Sequence, residues 1–338
     1  MPAKYQDTKD FNDNGVPFVK QTCFRKCLYG LKALRNYGIR LIYEAAKSRD
    51  NTCLLSKLKP RLNSSNSVVV TIAYNTPWTI SLLAECWQKY CQETPLLVVD
   101  NSSNHFAADE IAEICSDLGI AYVKLPNNRE WHPSRSHGLA LNWTWKNIIC
   151  HIQNLTTVGF IDHDCYPIRP WSPANLPSKV AYGLKSPGWI RDQPTWSLWA
   201  GYMYFKNWKN QKVTQLPMDF TPNPLDGLDT GGMNWRTLYQ KLPPQDYGYS
   251  KIEKISLCDL LGDSDLETDV KAELIDSTFL HLGGAAYKAT WKDIGSTRLA
   301  ALLRANLLSG DPILKRNAPN LDGDRLHKNS LDHGSKMP

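Results

Sequence analysis

Short, continuously apolar segments recur between residues 67 and 162 of this 338-residue chain, and helical periodicity separates each segment from the next. They are SVVVTIAY (67–74), PLLVVD (95–100), IAYVKL (120–125) and TVGFID (157–162). A strand that is apolar on both faces is typical of a parallel sheet covered on both sides. The alternation of such strands with helices predicts an α/β domain with a mostly parallel sheet flanked by helices.

The spacing of apolar residues also predicts the remaining elements. The helices between the four strands are predicted at Trp78–Tyr90, Ala107–Leu118 and Leu139–Ile152. After Pro167 the pattern loosens, with strands predicted over 180–187 and 196–207 and helices over Glu267–Ile275 and Ser296–Leu308. From Gly310 onward the chain is polar and has no period, which predicts a mobile tail.

Basic residues are concentrated near the N-terminus. Residues 20–61 contain eleven Lys and Arg against Glu44 and Asp50, whereas the formal net charge of the whole chain is +6. From Cys23 to about Arg49 the apolar residues recur at three and four, which predicts a basic amphipathic helix. Such a helix suits peripheral contact with an anionic membrane or binding to an acidic partner. The alternative is a helix packed on the body with its charges in solvent. Nucleic-acid binding is not expected, because this arm lacks interleaved aromatic residues and a known motif.

Cysteine usage and hydropathy predict a soluble, cytoplasmic protein. The nine cysteines are scattered without a C-x-x-C spacing, which fits a reducing compartment better than a disulfide framework. The first residues, MPAKYQDTKDFNDNG, contain no secretory apolar region, and no apolar stretch approaches the roughly 18 residues of a membrane span.

Polar clusters follow three of the predicted strands, at Tyr74-Asn75, Asp100-Asn101 and Asp162-His163-Asp164. Ligands of a parallel sheet bind at the carboxyl ends of its strands, so these clusters predict a cleft there. Side chains two apart in an extended chain point to the same side, so the two aspartates of the third cluster can converge on one cation. Mg²⁺ or Mn²⁺ accepts such carboxylates and takes its other ligands from phosphates and water. The alternative is an ordinary exposed turn.

The chain resembles the GT-A glycosyltransferases, particularly the inverting family-2 group that includes rhamnosyl- and galactofuranosyltransferase-like enzymes. The resemblance covers about residues 66–290 and lies in VVVTIAYN (68–75), LLVVDNSSN (96–104), HGLALN (137–142), GFIDHDCYP (159–167), LDGLDTGGMNWR (225–236) and FLHLGG (279–284). It implies a GT-A, Rossmann-like fold, a nucleotide-sugar donor and a D-x-D metal motif.

The resemblance also implies roles for individual residues. Asp164 binds the metal, Asp162 lies near the metal or the ribose, and His281 is a further metal ligand or a diphosphate contact. Asp100 contacts the base or ribose. The remaining predicted nucleotide-sugar contacts are Ala73, Tyr74, Asn75, Asn101, Arg135, Gly138 and His163. Arg135 and His137 lie between the third strand and the next helix, where they can face the diphosphate; the alternative is a surface loop.

Inverting transfer requires one base opposite the leaving group and a cation that neutralises the departing diphosphate. The resemblance assigns the base to Asp229, which the flexible Thr230-Gly231-Gly232 follows. Asp226 is the competing candidate. An alternative for Asp229 is the N-cap of a helix starting near Met233. The chain departs from the family in the His at position 163 and in the long interval from Asp229 to His281.

Together these observations predict a metal-dependent, inverting hexosyl- or deoxyhexosyltransferase of polysaccharide biosynthesis. The donor is a UDP-, GDP- or dTDP-sugar, the acceptor a saccharide or lipid-linked hydroxyl, and the cofactor Mn²⁺ or Mg²⁺. The predicted domains are a basic helical extension (1–65), a GT-A domain (66–300) with a nucleotide-binding half (66–168) and an acceptor half (169–300), and a C-terminal helix and tail (301–338). The alternatives are a catalytically idle nucleotide-binding module and a metal-dependent nucleotidyltransferase.

Overall fold

The computed structural model of the chain describes residues 23–46, 56, 58, 60, 62, 65–128, 130–152, 154–190, 193–208, 218–223, 227–257, 260, 271–285 and 296–309. The predicted tail from Gly310 and the predicted base candidate Asp226 lie outside these residues. The chain divides into two units, residues 1–46 and residues 47–338. The first unit contains helix α1 (Cys23–Ala45), which corresponds to the predicted basic amphipathic helix.

The described part of the second unit contains a seven-stranded sheet with the strand order β3-β2-β1-β4-β7-β6-β8. Strands β1, β2, β3 and β4 are parallel neighbours, and β4 pairs antiparallel with β7. Strand β6 pairs antiparallel with β7 and parallel with β8. The bounds are β1 Ser67–Ala73, β2 Leu96–Asp100, β3 Ala121–Lys124, β4 Thr157–Asp162, β6 Ala181–Ile190, β7 Gln193–Lys206 and β8 Tyr247–Tyr249. All residues of β1 and β2 are buried, as their mostly apolar sequences predict.

Helices flank this sheet at α2 (Pro77–Tyr90), α3 (His105–Asp117), α4 (Pro133–Asn147), α5 (Asn234–Thr237) and α6 (Ser296–Leu308). Helix α2 packs against both α3 and α6. Its buried side chains include Leu82, Leu83, Cys86 and Trp87, the residues whose spacing predicted the helix. Helix α4 begins six residues before the predicted Leu139. Pro133 starts it, and proline is well tolerated in the first turn of a helix.

A second, four-stranded sheet has the order β5-β11-β10-β9, and every pairing in it is antiparallel. Its strands are β5 (Cys165–Pro167), β9 (Ile252–Ser256), β10 (Lys271–Ile275) and β11 (Phe279–His281). The helix predicted over Glu267–Ile275 is therefore wrong for residues 271–275, and residues 267–270 lie outside the described part. Lys, Ala, Glu and Leu favour helices on their own, but pairing with a strand on each side overrides that preference.

The predicted fold class, an α/β domain with a mostly parallel sheet flanked by helices, is confirmed. The arrangement brings the carboxyl ends of β1, β2 and β4 to one edge of the large sheet. Strand β5 follows β4 after a two-residue turn and carries the small sheet to the same place. Among the helices that the structure describes, none has the length and apolar character needed to cross a bilayer.

Candidate active site

A cavity of about 580 Å³ opens where the large sheet meets the small one. Its walls come from the strand ends, from the segment that leads into α4, from the turn after β4 and from the small sheet. The lining residues include Tyr74, Asn101, Glu130, Trp131, His137, Asp162, His163, Asp164, Trp199, Asp229, Thr230, Lys254, Lys271, Glu273, His281, Gly283 and Gly284. The cavity therefore lies at the edge where the sequence predicts a cleft.

Three of the lining residues, Asp162, Asp164 and His281, bring ligand atoms to within 4.8 Å of one another. Asp162 ends β4, and Asp164 lies in the turn before β5. His281 ends β11 and is paired with Cys165 across the antiparallel ladder, next to Asp164. The backbone N–H of Leu282 donates to the carbonyl of Asp164 at 3.1 Å, which closes the corner. The structure thus brings together the three predicted metal ligands, although His281 lies more than 100 positions after the two aspartates in the sequence.

His281 is oriented by a carboxylate on the neighbouring strand. Its Nδ1 atom lies 2.9 Å from Oε2 of Glu273, and the ladder sets the two residues directly opposite each other. Its Nε2 atom is buried and has no hydrogen-bond partner among the described residues. That atom lies 3.5 Å from Oδ1 of Asp164 and 3.9 Å from Oδ2 of Asp162. A hydrogen bond from Nδ1–H to Glu273 leaves Nε2 facing the two carboxylates, where it can bind a cation once its proton is lost.

Burial and mutual charge set the protonation of this cluster. Burial, and then the charge of Asp164, raise the pKa of Asp162 to about 6. The pKa of Asp164 is held well below its usual range. Burial by itself would raise it, but this effect is outweighed by His281, His163 and the backbone N–H of Ala285. The pKa of His281 is raised to about 10. Burial by itself would lower it, but this effect is outweighed by the carboxylates of Asp164, Glu273 and Asp162.

The residues present fit a divalent cation. Two carboxylates and one imidazole form a donor set suited to Mn²⁺, and the carboxylates alone suit Mg²⁺. The buried Nε2 atom has no hydrogen-bond partner among the described residues, which is costly unless a ligand satisfies it, and a cation that displaces its proton would do so. The cluster opens on the cavity, where water or substrate oxygen can complete the coordination.

Of the nucleotide-sugar contacts predicted at the ends of β1 and β2, some line the cavity and others do not. Tyr74 and Asn101 line the cavity, whereas Ala73 is fully buried within β1. Asn75 has a left-handed backbone (φ 54°), and its side chain donates to Ser103 Oγ at 3.0 Å and accepts from the backbone N–H of Asn104 at 3.0 Å. Asn75 therefore ties the end of β1 to the turn after β2.

Asp100 is fully buried and does not line the cavity. Its carboxylate accepts from the backbone N–H of Ser102 at 2.7 Å and from the hydroxyl of Tyr122 at 2.9 Å, and it lies 3.1 Å from Nζ of Lys124. These contacts occupy both oxygens with protein groups. The predicted contact of Asp100 with a base or ribose stays a prediction, and its observed contacts hold the turn after β2.

The two predicted diphosphate contacts, Arg135 and His137, both lie near the start of α4 but have different partners. His137 lines the cavity, its Nδ1 atom lies 3.9 Å from Oδ1 of Asp162, and burial lowers its pKa to about 4. Arg135 instead pairs through Nε with Oε2 of Glu130 at 3.0 Å and is not among the lining residues. His163 does line the cavity, and its buried Nε2 atom has no hydrogen-bond partner among the described residues.

The HGLALN motif holds the segment that carries the base candidate. A Cβ on Gly138 would lie 2.6 Å from the carbonyl oxygen of Phe220, so only glycine permits this approach. Asn142 accepts from the backbone N–H of Phe220 at 2.7 Å and donates to Asp219 at 3.1 Å. The same carbonyl of Phe220 accepts from the backbone N–H of Gly231 at 2.7 Å. Gly138 thus has a packing function in the structure, and its predicted contact with the nucleotide sugar stays a prediction.

Asp229 is exposed on the cavity wall. Its Oδ1 atom accepts from the backbone N–H of Thr230 at 2.7 Å, and the hydroxyl of Thr230 donates to the carbonyl of Ser134 at 3.1 Å. The N-cap of α5 is Met233, and no side chain caps it. The alternative interpretation of Asp229 as an N-cap is therefore wrong, and its carboxylate is available to the cavity.

Sequence reasoning missed several cavity residues, chiefly Glu273, Glu130, Trp131, Lys254 and Lys271. Glu273 lies in the helix predicted over Glu267–Ile275, and that prediction gives no indication that Glu273 pairs with His281 on a neighbouring strand. Strand β7 is rich in aromatic residues between Trp196 and Phe205. Within it, Trp196 is buried and stacked on Tyr239 with ring centroids 4.8 Å apart, whereas Trp199 lines the cavity beside His281. The alternation of buried and cavity-facing positions in β7 is the signal that distinguishes these two tryptophans.

No protein-family model and no curated protein matches this chain. Among solved structures, the galactosyltransferase LgtC in complex with donor and acceptor sugar analogues is similar at 12% identity and a TM-score of 0.36, over 54% of this chain and 73% of that one. The mannosyltransferase PcManGT of Pyrobaculum calidifontis, in complex with GDP-Man and Mn²⁺, is similar at 14% identity and a TM-score of 0.33, over 66% and 68% of the two chains.

The glycosyltransferase GlyE of Streptococcus pneumoniae TIGR4 is similar at 12% identity and a TM-score of 0.34, over 54% of this chain and 44% of that one. TM-scores below 0.5 do not establish a shared fold. The function is therefore argued from the residues of the cavity.

Proposed function

We propose that the chain is a metal-dependent glycosyltransferase that moves a sugar from a nucleotide donor to a hydroxyl acceptor. The observation that carries this proposal is the convergence of Asp162, Asp164 and His281, within 4.8 Å of one another, on a large cavity at the carboxyl edge of a parallel sheet. The GT-A resemblance of the sequence places a D-x-D motif at the same two aspartates. A divalent cation held there supplies the positive charge that a nucleoside diphosphate leaving group requires.

The protein side of the donor site follows from the same geometry. Tyr74 and Asn101 lie on the wall formed by the ends of β1 and β2, and they are suited to hold the nucleoside. His137 and His163 line the same cavity, and His137 Nδ1 lies 3.9 Å from Oδ1 of Asp162, so both are suited to contact a diphosphate bound at the metal ligands. The neutral imidazole of His137 at pH 7, which follows from its lowered pKa, donates a hydrogen bond without attracting a second anion.

Asp229 is the proposed general base. Its carboxylate faces the cavity. A hydrogen bond from the backbone N–H of Thr230 to this carboxylate fixes the orientation of the side chain. A hydroxyl acceptor with a pKa far above 7 attacks the sugar only if a base removes its proton as the bond forms. One base on the face opposite the leaving group leads to inversion, and NMR of the anomeric proton of the product tests that outcome.

The test of the proposal is a donor panel. UDP-, GDP- and dTDP-sugars are added with Mn²⁺, and a bound donor raises the melting temperature by mass action. The stabilising donors are then assayed for products with candidate saccharide acceptors. Release of nucleoside diphosphate supports the transferase. Release of pyrophosphate identifies a nucleotidyltransferase instead, and binding without either product identifies an idle nucleotide-binding module. The same panel tests whether the transferred group is a hexose or a deoxyhexose.

We also propose a peripheral membrane contact through α1. Five of the ten large exposed hydrophobic residues among the described residues lie on this helix, between 48% and 75% exposed: Leu31, Leu34, Tyr37, Leu41 and Ile42. At 100° per residue they fall within an arc of about 140°. The helix has five basic residues and one acidic residue, so its charge complements an anionic bilayer and opposes pairing with a second copy.

Vesicle sedimentation tests this contact. The chain is expected to sediment with vesicles of phosphatidylcholine and phosphatidylglycerol, less with phosphatidylcholine alone, and less at high salt. The double variant Leu34→Glu and Ile42→Glu should lose this binding, whereas Phe106→Glu, at an exposed residue of α3, should retain it. Equal sedimentation of all three proteins, or a dimer that only the double variant dissociates, would contradict the proposal.

A further inference from the structure

Trp131 is an exposed aromatic residue at the edge of the cavity. It is 77% exposed, the highest value among the large hydrophobic residues that the structure describes, and it lines the cavity beside Pro133 and Ser134. Exposing a tryptophan to water is unfavourable, and such residues are enriched where proteins bind ligands or partners. Neither the metal ligands nor the base candidate uses it.

The segment around Trp131 is held rigidly by buried polar groups. Glu130 precedes it, and the Glu130 side chain is only 1% exposed. Its two oxygens accept from the backbone N–H of His132 at 3.2 Å and from Nε of Arg135 at 3.0 Å. On the other side, Oδ1 of Asn128 accepts from the backbone N–H of Glu130 at 3.0 Å. The backbone on both sides of Trp131 is thus fixed while its ring stays in solvent, which is the arrangement of a preorganised binding surface.

The same segment is joined to the residue next to the base candidate. The hydroxyl of Thr230 donates to the carbonyl of Ser134 at 3.1 Å, and Thr230 also donates its backbone N–H to Asp229. Trp131 and Asp229 therefore lie on connected walls of one cavity. A sugar ring that lies against Trp131 therefore occupies the same cavity as the proposed base Asp229.

We propose that Trp131 is the platform on which the acceptor saccharide stacks, through the apolar C–H face of a pyranose ring. This inference rests on the proposed transferase function and adds the position and chemistry of the acceptor. A pyranose has an apolar face and a rim of hydroxyls, so one face packs on the indole while the rim remains free for Asp229. Arg135, predicted to face the diphosphate, contributes instead by neutralising the buried Glu130 that holds the platform.

Substitution of Trp131 separates acceptor binding from donor binding. Trp131→Ala is expected to raise the KM for a saccharide acceptor about tenfold, the scale of a buried aromatic contact in an interface. Trp131→Phe should restore most of the affinity, because a smaller ring still stacks. The donor affinity of Trp131→Ala, measured by calorimetry with Mn²⁺, should stay within about twofold of the wild-type value. Phe106→Ala removes another exposed aromatic residue, which lies outside the cavity. It should change neither the KM for the acceptor nor the affinity for the donor.

A binding experiment tests the platform without turnover. Methyl β-galactoside, methyl β-glucoside, methyl α-mannoside and lactose are titrated against the full chain by saturation-transfer NMR. The inference predicts signals with the wild type and with Trp131→Phe, and their loss in Trp131→Ala. It is overturned by equal signals in the wild type and Trp131→Ala, by the absence of signals with every probe, or by a fall in donor affinity, which would assign Trp131 to the nucleobase. Saccharide binding through Trp131 in a chain without transferase activity would overturn the proposed function alone.

Discussion

Oε2 of Glu273 lies 2.9 Å from Nδ1 of His281, so the histidine presents Nε2 to Asp162 and Asp164. The two residues face each other across neighbouring antiparallel strands, and this pairing makes the histidine suited to act as a third ligand for the proposed cation. The Glu273 carboxylate selects the tautomer of His281 and increases the basicity of Nε2. We therefore expect Glu273 to be a positioning residue for the proposed metal site.

Glu273→Gln is expected to weaken Mn²⁺ binding by about 10- to 100-fold, the usual cost of losing such a partner. Calorimetric titration of Mn²⁺ into the purified chain measures the change. Glu253→Gln removes an exposed carboxylate from β9, the next strand of the same sheet, and serves as the matched control. Equal Mn²⁺ affinity in both variants would show that Glu273 does not orient the ligand.

Metal binding should become stronger as the pH rises. In the metal-free chain the pKa of His281 is raised to about 10, so its imidazole is protonated at neutral pH and must lose that proton to bind a cation. Between pH 6 and pH 8 the apparent Mn²⁺ affinity should rise by about tenfold per pH unit. Below about pH 6 the rise should be steeper, because Asp162 is then protonated as well. Calorimetry in buffers of different ionisation enthalpy counts the released protons, and zero release would contradict this protonation state.

Asp229→Asn should abolish transfer and preserve donor binding. The variant keeps the size and the hydrogen bond of the side chain but removes the base, so kcat is expected to fall by about 10²- to 10⁴-fold. Donor affinity is measured in parallel by calorimetry. Loss of donor affinity together with kcat would instead mark Asp229 as a donor contact.

Gly201→Ala should disturb the metal site through packing. A Cβ at this position would lie 2.7 Å from Cγ of Asp162 and would also collide with the ring of Trp199. The overpacking is expected to lower the free energy of unfolding by about 1–3 kcal/mol and to weaken Mn²⁺ binding. Gly38→Ala is the control, since nothing lies within 4 Å of a Cβ there. Thermal melts and Mn²⁺ titrations of both variants check the prediction, which an unchanged Mn²⁺ affinity in Gly201→Ala would refute.

The strand ends were predictable from the sequence because burial leaves a local pattern. Val68–Ala73 is apolar except for Thr71, Leu96–Val99 is apolar throughout, and polar residues follow both runs near the ends of the strands. Asp162 and Asp164 were predicted in the same way. His281 was predicted from the FLHLGG motif, and the structure places it beside them.

The remainder of the site depends on contacts between distant segments. Glu273 is in a stretch whose residues favour a helix, and only the strands on either side of it make it extended. Arg135 is a plausible phosphate ligand by its chemistry, but its partner Glu130 becomes evident only when the segment before α4 is folded. Trp131 has no periodic pattern around it, so its exposure at the cavity was not visible in the sequence.

The most direct test of the account is nucleoside diphosphate release in the presence of a stabilising donor sugar and a saccharide acceptor, with Mn²⁺ or with EDTA. The account predicts release with Mn²⁺, none with EDTA, and none from Asp164→Asn at an unchanged melting temperature. Release that persists in EDTA, or a rate in Asp164→Asn equal to that of the wild type, would contradict a metal-dependent glycosyltransferase.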